Sequence, residues 1–541
     1  MASSASALTL GPSRFAPSAA PSVRGALQRA QQRIEGAFDL AFGPRANPWR
    51  HLGALSFHLF WIVAATGIYV YAAFDTSVTG AYASVERISA DAWPLSALAR
   101  SLHRYASDAF VVVVLLHLGR EWLAGHARGF RWFSWLTGVP LLWLLYASGL
   151  GGYWLVWDAK AQFSLIATTE WLDALPLFAE PLARNFIAGE SVSDRFFSLL
   201  IFLHIGIPLF LLLGMWVHIQ RISRPRTNPP RALALGLLAA LAVLALVKPA
   251  VSAAPADLSL VPGALDFDWF YLAPNALLYP TSGALLWAVF GAATLVLALL
   301  PWLPKAARAP AAQVDLANCN GCGRCFADCP YAAVTLVPRT DGRGMPRQAA
   351  VDPDLCAACG ICAGACPSST PFRSAGELLS GIDMPQRPVR VLRAELERAI
   401  ETLRGPVKLV VFGCDCAADA AALCAPDTAV VPLLCTAMLP PSFVEYALRA
   451  GADGVLVTGC REGDCQYRLG NRWTEERLAG RREPHLRTLA PRERLRIAWA
   501  GPTDAAALAA ECERFRRALA SLPPLSLRDR RTPKRTEALH V

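Results

Sequence analysis

Four histidines stand in two pairs at one spacing: His103 with His117, and His204 with His218, each pair 14 residues apart in an apolar run. Fourteen residues fall about 40° short of four helical turns, so the members of a pair share a helix face. A rise of about 1.5 Å per residue sets them about 21 Å apart, one near each side of a bilayer core. Two such helices side by side offer two stacked sites, each with one imidazole from each helix. That is the axial set a six-coordinate haem takes. A lone helix histidine is usually a packing or capping residue. Two pairs at identical spacing point instead to a transmembrane di-haem cytochrome.

The second constellation is of thiols. All 15 cysteines lie at or after Cys319, so the histidine-bearing half has none. Cys319-x-x-Cys322-x-x-Cys325-x-x-x-Cys329-Pro330 is repeated as Cys356-x-x-Cys359-x-x-Cys362-x-x-x-Cys366-Pro367. Thiolates so spaced hold cubane clusters, and the fourth cysteine of each run ligates the other cluster. The expected sets are Cys319, Cys322, Cys325 and Cys366 for one 4Fe–4S cluster, and Cys356, Cys359, Cys362 and Cys329 for the other. Zinc also accepts paired CxxC motifs, but two four-cysteine runs each closed by proline favour clusters. Five more cysteines, Cys414, Cys416, Cys435, Cys460 and Cys465, fall at or just past strand-like segments, where open α/β sheets gather ligands. Cys424 and Cys512 sit on helix-like stretches and read as packing thiols. Cysteines in CxxC runs point to metal ligation in a reducing compartment rather than to disulfides.

These groups need a membrane bundle and soluble domains to hold them. The chain has 541 residues, 54% hydrophobic and 17% charged, with a mean hydropathy of +0.34 and a net charge of +10. The basic residues cluster in short loops beside apolar runs, which positive-inside bias explains, so nucleic acid is not expected as a partner. Residues 1–22 read as a disordered tail without a secretory signal, and Val23–Phe42 as an amphipathic helix on the membrane surface. Six apolar segments follow, near 52–73, 106–123, 132–155, 196–219, 232–251 and 282–303, each long enough to cross a bilayer. Arg128 and Arg131 follow the second segment, Arg221, Arg224, Arg226 and Arg231 the fourth, and Lys305 and Arg308 the sixth. The intervening loops carry Asp158, Glu170, Asp173, Glu180, Glu190, Asp257, Asp266 and Asp268. This asymmetry predicts both termini and the iron–sulfur domains on the cytoplasmic side of a prokaryotic membrane. It makes segments two and four parallel, pairing His103 with His204 near the outer side and His117 with His218 near the inner side.

Residues 101–222 resemble cytochrome b of the quinol–cytochrome c oxidoreductases and their photosynthetic counterparts. SLHRYASDAFVVVVLLHLGR is similar to that family's second helix, and TGVPLLWLLYASGLGGYWLVWD to its third. The resemblance extends over about residues 23–303, without the family's two further C-terminal helices. It implies two haems b. It also implies that Gly53 and Gly67, and Gly138 and Gly152, each pair 14 apart, let the porphyrins approach the helix backbone. ADLSLVPGALDFDWFYLAP resembles the family's quinol-site segment, with Phe267-Asp268-Trp269-Phe270 in place of Pro-Glu-Trp-Tyr. The resemblance places Asp268 where the quinol proton is accepted, beside Trp269, and makes quinone or quinol the substrate. Arg104 and Arg120 each follow a haem-type histidine and are candidate propionate partners. His51 and His58 read as packing or helix-end residues, with an inner quinone site the alternative for His58. The family works as dimers, which implies a homodimer by analogy.

The double cysteine run resembles bacterial two-cluster ferredoxins. From Pro406 onward, short strands at 408–412, 429–434, 454–457 and 495–498 alternate with helices at 441–450 and 505–518, predicting a parallel sheet. GADGVLVTGCREGDCQYRLGN closely resembles the delta subunit of methyl-viologen-reducing hydrogenase, with VVFGCDC and LLCTAMLPPSF a looser match. That resemblance implies a 2Fe–2S cluster held by four of the five cysteines from Cys414 to Cys465. It also implies hydrogenase, heterodisulfide-reductase-like or flavoprotein subunits as cytoplasmic partners. No G-x-G-x-x-G follows a strand, which argues against a nucleotide site.

The expected organisation is multidomain: a tail at 1–50, an all-α six-helix di-haem transmembrane bundle at 51–304, and an α+β ferredoxin-like domain at 312–372. A linker at 373–405, an α/β parallel-sheet iron–sulfur domain at 406–520 and a basic tail at 521–541 complete it. The expected function is a membrane-bound oxidoreductase subunit that joins the quinone pool to a cytoplasmic redox enzyme. The alternative is an anchor for such a complex without quinone chemistry of its own.

Overall fold

A computed structural model describes residues 23–91, 93–176, 181–182, 192–261, 263–266, 268–303, 309–372, 378–487 and 490–525. The tail at 1–22, most of the tail after Ser521, Glu180, Glu190, Phe267, Lys305 and Arg308 lie outside the described residues. The chain forms two compact units. One comprises Ala37–Arg221 with Pro225–Ala306; the other comprises Ala307–Val541 with Met1–Gly36 and Ile222–Arg224.

The first unit is helical. Leu52–Ala73 packs along Pro94–Leu123, and Trp132–Val156 along Asp194–His218. Leu59, Phe60, Leu102, Ala106, Phe110, Leu145, Leu150, Leu211 and Met215 fill the space between them. The outward faces stay apolar: Ile68, Phe202, Leu209 and Phe210 are exposed, as on helices that lipid covers. Among the described residues, four helices are long and apolar enough to cross a membrane: Pro48–Ala73, Gly129–Val156, Asp194–His218 and Gly283–Trp302. Two of the six apolar segments fall short of that measure. Pro94–Leu123 is diluted by Arg100, Arg104, Asp108, Arg120 and Glu121, and Arg231–Val247 has only 17 residues. The Gly-Tyr-x-Leu-x-Trp-Asp ending of the third segment is a helix terminus. Val156 closes the helix, Trp157 turns left-handed at φ 54°, and Asp158 caps the next helix by accepting from Ala161 N–H at 2.9 Å.

The second unit begins with two short antiparallel pairs, β1 (Gln313–Val314) with β4 (Ile382–Asp383) and β2 (Val334–Pro338) with β3 (Arg347–Val351). Each cysteine run turns into a five-residue helix, Arg324–Asp328 and Ile361–Ala365. The turns leading into these helices match residue for residue: Gly321 and Ala358, then Gly323 and Gly360, all have positive φ. Beyond them, β5 (Leu409–Cys414), β6 (Thr428–Leu433), β7 (Gly454–Gly459) and β8 (Leu495–Trp499) form a parallel sheet in the order β6-β5-β7-β8. The central strands LVVFGC and GVLVTG are buried at every residue, as strands covered on both faces must be. Ser442–Ala450 covers one face and Ala505–Ala520 the other. The stretch read as a linker instead contains a 14-residue helix, Val389–Thr402. Its Val389, Leu392, Leu396 and Ile400 recur at helical spacing and enter the sheet's core.

Candidate redox sites

In the membrane unit the four histidines and four glycines sort into two layers. A Cβ built on Gly67 would lie 2.8 Å from His103 Cε1, and one on Gly152 would lie 3.0 Å from His204 Cε1. In the other layer Gly53 faces His117 at 3.4 Å and Gly138 faces His218 at 3.3 Å. Each layer therefore draws one histidine or glycine from each of four helices. The His103 and His204 rings stand 6.3 Å apart, centre to centre, at 72°. Two imidazoles bound at about 2 Å to one metal have ring centres about 6 Å apart, so this pair fits an iron between them. The outer nitrogens are occupied. His103 Nδ1 lies 3.0 Å from the Val63 carbonyl oxygen and 3.3 Å from Thr66 Oγ1, and His204 Nδ1 lies 3.0 Å from the Ser148 carbonyl oxygen. His218 Nδ1 meets Thr137 Oγ1 at 3.2 Å. A ring that donates through Nδ1 keeps the Nε2 lone pair for a metal. Thr66 and Thr137 were not anticipated, although each immediately precedes a layer glycine in the sequence.

Asp268 has a side chain 6% exposed and pairs with Arg104, which also pairs with Asp108 on its own helix. Arg104 lies 4.9 Å over the Tyr153 ring. Asp268 Oδ1 accepts from Phe270 N–H at 2.7 Å. Tyr271 is buried beneath, its hydroxyl donating to the Ser107 carbonyl at 3.0 Å. Trp269 is exposed on the flank. The arginine considered for a propionate thus serves two carboxylates, and Asp108 and Tyr271 join a site that motif comparison had not included. Arg120 is nearly buried, with Glu121 at 3.8 Å. His58 Nε2 reaches the Ala234 carbonyl at 3.2 Å and His51 Nε2 the Arg45 carbonyl at 2.9 Å, both backbone contacts.

In the second unit one cavity is lined by Cys319, Cys322, Cys325 and Cys366, and another by Cys329, Cys356, Cys359 and Cys362. Ala333 N–H donates to Cys329 Sγ at 3.3 Å, the kind of contact that stabilises a ligating sulfur. Burial pushes the Cys325 thiol up to about 12 and raises Cys359 and Cys362 as well. Such thiols lose their protons when metal charge replaces them. Among the described residues no three His, Cys, Asp or Glu donors converge on a position for a single ion. Two cavities each walled by four cysteines suit a multi-iron cluster better than one zinc.

At the carboxyl edge of the sheet Cys414 contacts Cys416 and Cys460, and Cys465 contacts Cys460 and Cys435. The five thiols form one connected set. Cys465 is held well below the ordinary thiol range because Cys435 and Cys460 donate to it. A Cβ on Gly470 would meet Cys435 Sγ at 2.4 Å and Cys465 Sγ at 2.9 Å. Gly470 is a further residue that spacing did not single out. Cys512 is buried on its helix, away from this set, and Cys424 is exposed, so Cys424 does not pack.

Residues 38–225 match the model of cytochrome b/b6/petB, 318–370 that of the 4Fe–4S dicluster domain, and 410–523 that of the methyl-viologen-reducing hydrogenase delta subunit. The chain thus joins, in one sequence, segments that match these three family models. It is a multi-pass membrane protein with electron-transfer domains, and its cytochrome b and dicluster segments imply haem b and iron–sulfur clusters. The cytochrome b match ends at residue 225, so Asp268 lies beyond it. A solved structure titled "Hyperthermophilic respiratory Complex III" aligns with 51% of this chain and 82% of its own, at 18% identity and a TM-score of 0.39.

Proposed function

We propose that the chain is the membrane subunit through which the quinone pool exchanges electrons with a cytoplasmic redox enzyme. The observation that carries this is the double layer of histidines and glycines, beside which a buried carboxylate, Asp268, pairs with Arg104, the residue that follows His103. Bound haem and iron–sulfur clusters supply one-electron chemistry. The chain's residues do the rest. His103 with His204, and His117 with His218, hold two haems b; Gly53, Gly67, Gly138 and Gly152 clear space for them. Cys319, Cys322, Cys325 and Cys366 hold one 4Fe–4S cluster, and Cys356, Cys359, Cys362 and Cys329 the second. Four of Cys414, Cys416, Cys435, Cys460 and Cys465 hold a 2Fe–2S cluster. Asp268 accepts the quinol proton, since a carboxylate at an apolar site is suited to general-base work. The six-crossing bundle spans 51–304, with cluster domains at 312–372 and 406–520 facing the cytoplasm. Hydrogenase, heterodisulfide-reductase-like or flavoprotein subunits are the soluble partners.

Moving an electron across the membrane is worth roughly 2.3 kcal/mol per 100 mV. Transfer from an outer quinol inward carries negative charge toward the negative side, so it works against the membrane potential and builds it, whereas the reverse flow is driven by that potential and dissipates it. Asp268→Asn tests the reading: quinone-linked turnover and its sensitivity to uncoupler should both fall. Unchanged turnover would sink the quinol site. The anchor reading is favoured by one feature, the Arg104 ion pair that already occupies Asp268. Haems that never respond to quinol would select it.

A further inference from the structure

Asp328 immediately precedes Cys329, the cysteine that the second cluster cavity takes from the first run. Its carboxylate is 3% exposed and meets two arginines from the sheet domain. Arg477 pairs with Oδ2, and Arg482 Nε donates to Oδ1 at 2.8 Å. Trp473 Nε1 donates to the Asp328 carbonyl at 3.0 Å, and the Arg482 guanidinium lies 3.4 Å over the Trp473 ring.

Arg477 is 1% exposed and does more than pair. Its Nη1 donates to the Ala437 carbonyl at 2.7 Å, two residues past Cys435, and its Nη2 reaches the Ile361 carbonyl, next to Cys362, at 3.5 Å. One buried guanidinium thus touches the chain beside Cys329, Cys362 and Cys435. The glycines of the second run close the same contact. A Cβ on Gly364 would lie 2.1 Å from the Ala437 carbonyl oxygen, and one on Gly360 would lie 2.8 Å from Met438 Cγ. In the first run Gly321 and Gly323 instead face Arg347 and Leu336 of the dicluster segment itself.

A buried ion pair is poor evidence for stability, because desolvation offsets the attraction. What its fixed geometry supplies is register. We propose that Arg477 is a positioning residue that locks the Cys435 loop against the Cys329 and Cys362 loops. It makes the cluster of Cys329, Cys356, Cys359 and Cys362 the direct electron-exchange neighbour of the third cysteine centre. The cluster of Cys319, Cys322, Cys325 and Cys366 is the more remote one. The inference rests on the reading of these cysteines as cluster ligands. The step is a one-electron exchange, with one centre oxidised as the other is reduced and no bond made or broken.

The test is electron paramagnetic resonance on the full-length protein during stepwise reduction. In the unaltered protein the third centre's signal should broaden as the second cubane cluster is reduced, and this should survive Cys322→Ser, which disables the first. Arg477→Met combined with Asp328→Leu replaces both of the most deeply buried charges with apolar groups, and Arg482 keeps Glu476 at 3.3 Å, so no orphaned charge threatens folding. Iron content should be kept, the broadening lost, and electron arrival at the third centre slowed about 10- to 100-fold, the range for outer-shell partners. Arg477→Lys, which keeps the charge without the fork, should be intermediate. Broadening lost in Cys322→Ser, or unchanged broadening and rate in the double variant, overturns the proposal. Absence of any third-centre signal in the unaltered protein overturns the ligand reading beneath it.

Discussion

At Gly67 the missing side chain is a matter of clearance. A Cβ there would lie 2.8 Å from the His103 ring, closer than atoms normally approach, so Gly67→Val should displace the imidazole. Overpacking of this kind costs about 1–3 kcal/mol, and the expected readout is loss of one haem absorbance with the other retained. Gly138→Val should spare the His103 haem and remove the one at His218. If both variants lose the same haem, the two-layer assignment is wrong. The carboxylates give a second case. Asp268 and Asp108 share Arg104, so Asp108→Asn leaves Arg104 to Asp268 alone. Loss of a general base typically costs about 100-fold or more. Asp268→Asn should therefore slow quinol-driven haem reduction on that scale, whereas Asp108→Asn should change it modestly. Equal effects would contradict the assignment of the proton to Asp268 alone. The histidines and cysteines were legible because their spacing is set by helix pitch and cluster size. Tyr271 and Arg477 were not, because each gains its role from a partner more than 100 residues away, and Asp108 joins the site only through Arg104, whose other carboxylate is as distant in the chain.

At the scale of elements, helix and strand positions followed from apolar patterning, and β5 to β8 lie within a residue or two of the expected stretches. The misreading was the linker. Its amphipathic spacing over Val389–Thr402 is present in the sequence, with Val389, Leu392, Leu396 and Ile400 on one face. The crossing count met a related difficulty. Pro94–Leu123 carries histidines and charges for chemistry, and these lower the hydropathy by which a span is recognised. The proposed third centre would draw on Cys435 and Cys465, which pack against Gly470 at a loop-to-helix junction. Gly470→Ala should abolish its spectroscopic signal while both 4Fe–4S signals remain, because the added methyl meets Cys435 and Cys465 and neither dicluster cavity. Retention of that signal would remove Cys435 or Cys465 from the ligand set.

At the scale of the whole molecule, a thiol-free helical half precedes a half that carries every cysteine, so membrane chemistry and soluble chemistry are divided along the chain. Electron transfer between quinone and a soluble enzyme requires that they communicate. Partial removal of iron should separate them: chelation of the clusters should leave haem absorbance and its response to quinol intact, while electron delivery to a soluble acceptor stops. Haem that is lost together with cluster iron would contradict that division. The most direct test is a redox experiment on membranes containing the intact protein, with haem absorbance and cluster resonance followed after a reduced quinol analogue is added. A quinone-linked subunit should show both haems reduced, with the clusters following when the membrane potential is favourable. Haems that dithionite reduces but quinol does not would contradict it.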